Sequence, residues 1–337
     1  MWHDLAEYAR RAPSPHNTQP ARLRVVDDQR AEVLFLAARG LPVGDPEGRF
    51  THLTFGIFVE SLRIAAHARG HELEVVYAGQ PLYRDGQPAQ PVQKVADLRL
   101  HARGAPVDDF DPELLLRRRT NRHPYDDRPV PDEVLAQLRA EARRYGHTFQ
   151  MSTDPQAIRA VKELNRDCLY HDLAHPAYRQ ELGSWLRYSE AEAARRRDGL
   201  SPHTMVLPGW LLRGVMRSHR LFTAPGVTQV TQRLYLQTMT GVSTVGWIKG
   251  DFVDAEDWTM AGYLMLRLWL ILTRHGVEWQ PYGSVITNDD ARRSMVDKFG
   301  MREGDGGRDM VWLLVRLGYS DHTPARSRRL PLAEVLR

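Results

Sequence analysis

The 337-residue chain has one cysteine, Cys168, so it can form no intramolecular disulfide. That fits a reducing compartment, with Cys168 a small core residue. No apolar run is long enough to span a bilayer. The nearest to one, Tyr263 to Leu272, is short and carries Arg267, so it reads as a buried helix. The N-terminal MWHDLAEYARR lacks the apolar centre of a secretion signal and reads as an amphipathic helix. A cytoplasmic protein without a membrane partner is expected. No G-x-G-x-x-G follows a strand-like segment, and neither G-x-x-x-x-G-K-[ST] nor G-x-S-x-G occurs. These absences argue against a Rossmann site, a P-loop and a serine-hydrolase elbow. Lysine and arginine number 46 against 42 acidic residues, a net charge of +4. That is too even for the basic stripe of a nucleic-acid binder. His171 and His175 have a metal-compatible i, i+4 spacing, but no third ligand is evident and no metal is expected.

What is present is ordinary globular composition, 42% hydrophobic and 26% charged. Helical periodicity covers Phe55–Gly70, a stretch after Pro131, much of residues 154–198 and Ala261–His275. Strand-like segments fall at residues 22–37 around a polar turn, Leu73–Gly79, Lys94–Leu100, 147–153 and Met310–Tyr319. VEWQPYGSV reads as a loop. The pattern predicts an α+β fold, a mixed β-sheet flanked by helices. Each half opens with a helix, a polar loop and a sheet-forming stretch, which suggests two pseudo-equivalent lobes. The expected division is residues 1–111 and 112–337, with a lid-like insertion at about 201–250.

Two polar loops carry the chemistry. One is APSPHNTQP, from Ala12 to Pro20; the other is RRRTNRHPYDDRPVP, from Arg117 to Pro131. Arginines clustered at 117–119 and 326–329 suit local anion binding, because a guanidinium offers a planar fork at fixed charge. Asn17 and Gln19 each carry a donor and an acceptor on a loop stiffened by proline. No catalytic triad or carboxylate pair is visible.

The first loop resembles the A-P-S-x-x-N-x-Q-P-W signature of the nitroreductase family, the FMN-dependent flavoproteins. The second resembles that family's R-R-[ST]-x-R-x-[FY] segment. Their order is inverted relative to ordinary members and the chain is longer, which is similar to the fused, double-length branch typified by the mycobacterial Acg proteins. The resemblance implies a nitroreductase-like fold in which one chain imitates a dimer, either as a monomer or as a homodimer. It implies that Arg118 and Arg119 bind the FMN phosphate, with Thr120 adding a hydroxyl and Arg326 and Arg328 completing the site from the tail. Arg122 would sit near the N1–C2 edge or the ribityl chain. Ser14, Asn17 and Gln19 would face the ring edge, and Pro281, Tyr282 and Gly283 would lie against the isoalloxazine.

The family tryptophan after Gln-Pro is Ala21 here, which leaves room near the flavin or a substrate. Ala21 and His16 are therefore the candidate substrate contacts. The implied activity is hydride transfer through flavin, with N5 carrying the chemistry. The donor is NAD(P)H or an organic substrate, and the acceptor a nitro compound, quinone, enone or biosynthetic intermediate. Two alternatives stay open, an FMN-storing protein and an oxygen-dependent flavin oxidase or dehydrogenase of a natural-product pathway.

Overall fold

The computed structural model describes residues 1–84, 86–103, 110–217, 224 and 226–337. Helices α1 (Trp2–Ala9) and α2 (Arg49–His67) accompany strands β1 (Ala21–Val25), β2 (Arg30–Leu36), β3 (His71–Tyr77) and β6 (Val92–Ala102). A two-stranded hairpin, β4 (Tyr83–Arg84) with β5 (Gln87–Pro88), lies in the loop before β6. Next come α3 (Glu113–Arg117), α4 (Asp132–Arg144) and β7 (Thr148–Ser152). A helical stretch follows: α5 (Pro155–Ala174), α6 (Pro176–Trp185), α7 (Glu190–Arg196), α8 (Pro202–Met205), α9 (Gly209–Arg217) and α10 (Val227–Gln237). Strand β8 (Thr244–Gly250), helix α11 (Ala255–Arg274), strand β9 (Glu278–Pro281), helices α12 (Gly283–Thr287) and α13 (Asp289–Lys298), and strand β10 (Met310–Gly318) precede a final turn of helix, α14 (Leu332–Val335).

Two four-stranded sheets result, ordered β1-β2-β6-β3 and β7-β8-β10-β9. Every strand pair in both is antiparallel, so the expected mixed sheet takes the form of two antiparallel ones. Parallel pairing is limited, among the described residues, to isolated bridges such as Leu23 with Leu336. The order is the same in both sheets: first, second, fourth, third. In each, a long helix joins the second strand to the third. The difference lies between the first two strands. A short turn at residues 26–29 joins β1 to β2, whereas residues 153–243 separate β7 from β8.

The two long helices explain why the halves sit together. α11 is capped by Asp254, whose carboxylate accepts from the backbone N–H groups of Glu256 and Asp257 at 3.0 and 3.1 Å. α2 starts beyond Asp45, whose carboxylate accepts from Thr51 N–H at 2.8 Å and Phe50 N–H at 3.2 Å. Both helices are apolar on nearly every face and buried along most of their length. They meet at Gly56 and Gly262. A Cβ at Gly56 would stand 2.0 Å from the Thr259 carbonyl oxygen, and one at Gly262 would stand 2.1 Å from that of Leu53. Leu53 and Thr259 each lie three residues before their own glycine, so the crossing is reciprocal, like an isologous contact within one chain. Only glycine permits this approach.

The 310–319 strand, the 147–153 strand and the hairpin around residues 27–30 are present where the pattern places them. VEWQPYGSV instead supplies β9 and the start of α12. Its alternation is short, but it adds an edge to the buried β10, pairing Val315 with Pro281 and Leu317 with Trp279. Of the stretch expected as a lid, residues 244–250 form β8, an interior strand of the second sheet. Residues 218–223 and 225 lie outside the described ones. Among the described residues, no helix is long and apolar enough to cross a membrane. The C-terminal segment returns to the first sheet, where Leu330 and Val335 join the core built on Leu5, Leu23 and Phe35.

Candidate functional site: an arginine-ringed cavity

A cavity of about 350 Å³ opens where the long helices diverge from their crossing. α2 contributes Leu53, Thr54 and Ile57 to its wall, and α11 contributes Met265 and Trp269. Loops supply residues 13–17, 118–120 with Arg122, and the tail at 325–327 with Arg329, while Leu115 and Leu116 of α3, Pro281 of β9, Gly283 and Ser284 of α12 and Leu313 of β10 add to the wall. The two sequence motifs, separated by about a hundred residues in the chain, thus meet at one place.

Six arginines line this cavity: Arg11, Arg118, Arg119, Arg122, Arg326 and Arg329. Among the described residues none of them forms an ion pair with a carboxylate. Their hydrogen bonds go to neutral groups. Arg118 donates to the Arg11 carbonyl at 3.3 Å and lies 4.2 Å from the Trp269 ring centroid. Arg119 donates to the Pro324 carbonyl at 2.9 Å, and Arg122 to that of Thr204 at 3.0 Å. Arg329 donates to Asn17 Oδ1 at 2.6 Å and to the Arg11 carbonyl at 3.2 Å.

Uncompensated burial is costly for a cation. Burial, then the Arg329 charge, pulls Arg118 down to about 9. Burial pulls Arg122 and Arg329 down to about 10. Arg11 and Arg119 are lowered as well, burial again the main cause. The one acidic side chain of the described lining is Asp45, at the far end beside Phe50, and burial raises it to about 6. A group of strong donors in fixed positions with no counter-charge is the donor set of a phosphate dianion.

The 14–19 loop is built tightly. His16, Asn17 and Gln19 all have positive φ, at 48°, 56° and 54°. Three non-glycine residues in that region within four positions mark stored strain, held by surrounding bonds. The Ser14 hydroxyl accepts from Gln19 N–H at 2.9 Å. Asn17 lines the cavity, but its amide is engaged by protein: Nδ2 donates to the Gly199 and Arg328 carbonyls at 3.0 Å each. Gln19 stands outside the lining. Its Nε2 donates to the Arg197 carbonyl at 2.9 Å, and its Oε1 accepts from Leu330 N–H at 2.8 Å. These two amides therefore tie the tail and the 197–199 segment to the loop.

His16 lines the cavity, with Nδ1 shut from solvent and without a hydrogen-bond partner among the described residues. Burial, aided by Arg122, pushes it down to about 4, so it is neutral at pH 7.

Of the other sequence candidates, Ser14, Arg118, Arg119, Thr120, Arg122, Pro281, Gly283 and Arg326 line the cavity. Tyr282 does not; it is buried in the second core, and its hydroxyl has no partner among the described residues. Arg328 is exposed and outside the lining, and the neighbouring Arg329 takes the place by the cavity. Ala21 opens β1, packed in the first core opposite Phe35. Sequence reading missed Arg11, Arg329 and Trp269. Arg11 sits directly before the quoted loop and Arg329 is the third arginine of the tail cluster, so local charge was the available signal. Trp269 had none, because it lies inside an apolar helix.

Residues 178–205 pass over this region. Glu181 accepts from the N–H groups of Val43 and Gly44 at 2.8 Å each. Asp198 is buried, bound by Arg187 at 2.6 Å and Arg39 at 3.2 Å. Tyr178, Leu200 and Thr204 from the same stretch line the cavity. His171 and His175 are not among the lining residues; their ring centroids are 4.8 Å apart.

These features define an α+β protein with two antiparallel sheets and an arginine-lined cavity beside the crossing of its two long helices. Two sequence relatives narrow that description. They are proteins of two Mycobacterium tuberculosis strains, provisionally named NAD(P)H nitroreductases. Each is 30% identical to this chain over 227 residues, which is 65% of this chain and 58% of the relative. The chain thus spans less than two thirds of the length of these relatives. No family model matches. Among solved structures, the chain is similar to the FMN- and NADPH-dependent nitroreductase NfnB of Sphigopyxis sp. strain HMH, with TM-score 0.40, 18% identity, and coverage of 67% of this chain and 96% of that one. The FMN-dependent NfnB of Mycobacterium smegmatis in complex with NADPH gives TM-score 0.38 with the same identity and coverages.

Proposed function

We propose that the chain is an FMN-binding oxidoreductase that passes hydride between NAD(P)H or an organic donor and a small-molecule acceptor. The observation that carries this reading is the ring of cavity arginines without carboxylate partners. The residues fit FMN: a cluster of fixed donors for the phosphate at one end, an apolar wall of Leu53, Ile57, Met265 and Trp269 for a planar ring, and about 350 Å³ between them. When bound, FMN supplies the two-electron chemistry.

The chain's own groups then have distinct tasks. Arg11, Arg118, Arg119, Arg326 and Arg329 hold the phosphate, with Thr120 adding a hydroxyl. Arg122 faces the polar edge of the ring. Pro281 and Gly283 border its face. The neutral His16 meets the substrate, a nitro compound, quinone, enone or biosynthetic intermediate. Asn17 and Gln19 act at one remove, by holding the tail arginines in place. We assign residues 1–111 and 112–337 to two lobes that together replace a dimer, with a cover drawn from residues 178–205 and not from all of 201–250.

That cover also favours a second reading, FMN storage with little turnover, because it is pinned at Glu181, Asp198 and Gly199. Anaerobic mixing with NADPH separates the two. Bleaching followed by acceptor-dependent recovery supports the oxidoreductase, and an unbleached flavin supports storage. Arg118→Ala tests the site itself. It is expected to weaken FMN binding by about 1–3 kcal/mol in a fluorescence titration. Without FMN the same variant is expected to be as stable as the parent or more so, since an uncompensated buried charge is gone. Unchanged affinity would mean that the phosphate lies elsewhere.

A further inference from the structure

Arg316, on β10, is fully buried and has no carboxylate partner among the described residues. A side chain of this kind in the middle of a strand otherwise written MVWLLV-LG needs a reason. Its contacts supply one. Nη2 donates to the carbonyls of Asn121 at 3.3 Å and His123 at 3.0 Å, the two residues that flank Arg122. Nη1 donates to the Thr238 carbonyl at 3.3 Å. The guanidinium lies 4.3 Å from the ring centroid of Tyr125, whose hydroxyl donates to the same Asn121 carbonyl at 3.2 Å. Asn121 is itself buried, and its side chain accepts from His123 N–H at 2.9 Å.

We infer that Arg316 is a positioning residue: its planar fork grips the backbone on both sides of Arg122 and fixes where that guanidinium stands in the cavity. The inference rests on the flavin reading above. The second sheet thereby acts on the site through a backbone clamp, in addition to lining it directly with Pro281 and Leu313. Lysine cannot reproduce this grip, because an ammonium is a point donor and cannot span two carbonyls with coplanar N–H groups. The carbonyl dipoles and the Tyr125 ring stand in for the missing counter-charge.

The test is a double-mutant cycle on the full chain, read by FMN binding. Arg316→Lys is expected to weaken FMN about tenfold, and Arg122→Ala by a similar or larger factor. In the Arg122→Ala background, Arg316→Lys should change affinity by less than about twofold, because the group it positions is gone. A tenfold loss that persists in that background, or no loss in either, overturns the inference. A merely structural role would weaken binding equally in both. Thermal unfolding of each variant shows whether it folds. Should Arg316→Lys fail to fold, Tyr125→Leu, which removes the ring beneath the guanidinium and keeps the charge, goes through the same cycle with the same expected coupling. A parent protein that takes up no FMN rejects the flavin reading, and this inference with it; a parent that binds FMN but shows no coupling rejects only the inference.

Discussion

The two sides of the helix crossing share one geometry and differ in what occupies it. Counted equally from Gly56 and Gly262, Ile57 corresponds to Tyr263 and Trp269 to Arg63. Ile57 and Trp269 both line the arginine-ringed cavity. Their counterparts are in contact, with the Arg63 guanidinium 4.7 Å from the Tyr263 ring centroid. That side is filled. Tyr263 shares a 2.7 Å hydrogen bond with Tyr77, and Arg63 pairs with Glu60 at 2.6 Å. Glu60 also accepts from Arg267 at 2.9 Å, and Arg267 pairs in turn with Glu141. Among the described residues, cations on the filled side thus have carboxylates, and cations on the open side have none. A buried charge is tolerated only where something neutralises it. The contrast supports the proposal that the open side is built to take an anion.

Breaking the crossing should have the largest effect. Gly56→Ala drives a methyl into the Thr259 carbonyl, with backbone on both sides and nothing flexible to yield. A destabilisation on the order of 3 kcal/mol is expected in chemical unfolding. A loss within experimental error would mean that the helices separate at little cost.

Copying the filled side onto the open one comes next. Ile57→Tyr places the counterpart of Tyr263 in the cavity. FMN affinity should drop by roughly a hundredfold, about 2.7 kcal/mol, while the protein still unfolds cooperatively. Full retention of binding would put the ring elsewhere.

Asn17→Ala removes bonds to Gly199, Arg328 and Arg329 at once. A loss of about 1–3 kcal/mol is expected in stability, with FMN affinity falling by a similar amount as Arg329 and the tail loosen. Faster proteolysis near the C-terminus should accompany it.

The smallest effect concerns pH. Burial holds His52, near the start of α2, at about 4, below its usual 6.5. The unfolded chain therefore binds a proton between pH 6.5 and 4 that the folded chain refuses. Stability contributed by the neutral imidazole is present above pH 6.5 and is lost as pH falls towards 4. His16 acts in the same direction. Asp45, raised to about 6, opposes them below pH 6, because its folded form takes up a proton first. His52→Gln should reduce the slope of stability against pH across 6.5 to 4 by up to about one proton. An unchanged slope would mean that His52 titrates normally.

Much of this was legible in the sequence. Strands with clear alternation, and the apolar β10, were readable because burial dictates their pattern. The pairing of the halves was suggested by a repeated helix, loop and sheet order. The Gly56–Gly262 contact was not, since a lone helical glycine reads as a propensity cost until its partner is known. The two motif loops pointed to one site, and Ser14, His16, Asn17, Arg118, Arg119, Thr120 and Arg122 do meet at one cavity. Gln19 could not be placed from sequence, because an amide that binds a ligand and one that clips a tail look alike. The same holds for Arg328 against Arg329, where the twist of an irregular tail decides which side chain faces inward. Arg316 was hidden by its setting in an apolar strand, and its meaning rests on two backbone carbonyls that no residue identity encodes.

The claim at the centre is that the open side takes a phosphate dianion carried on a planar ring. Parallel calorimetric titrations of the ligand-free protein with FMN and with riboflavin, which lacks the phosphate, test it most directly. FMN is expected to bind at least about a hundredfold more tightly, and the difference should shrink in Arg118→Ala. Equal affinities for the two, or no binding of FMN, would contradict it.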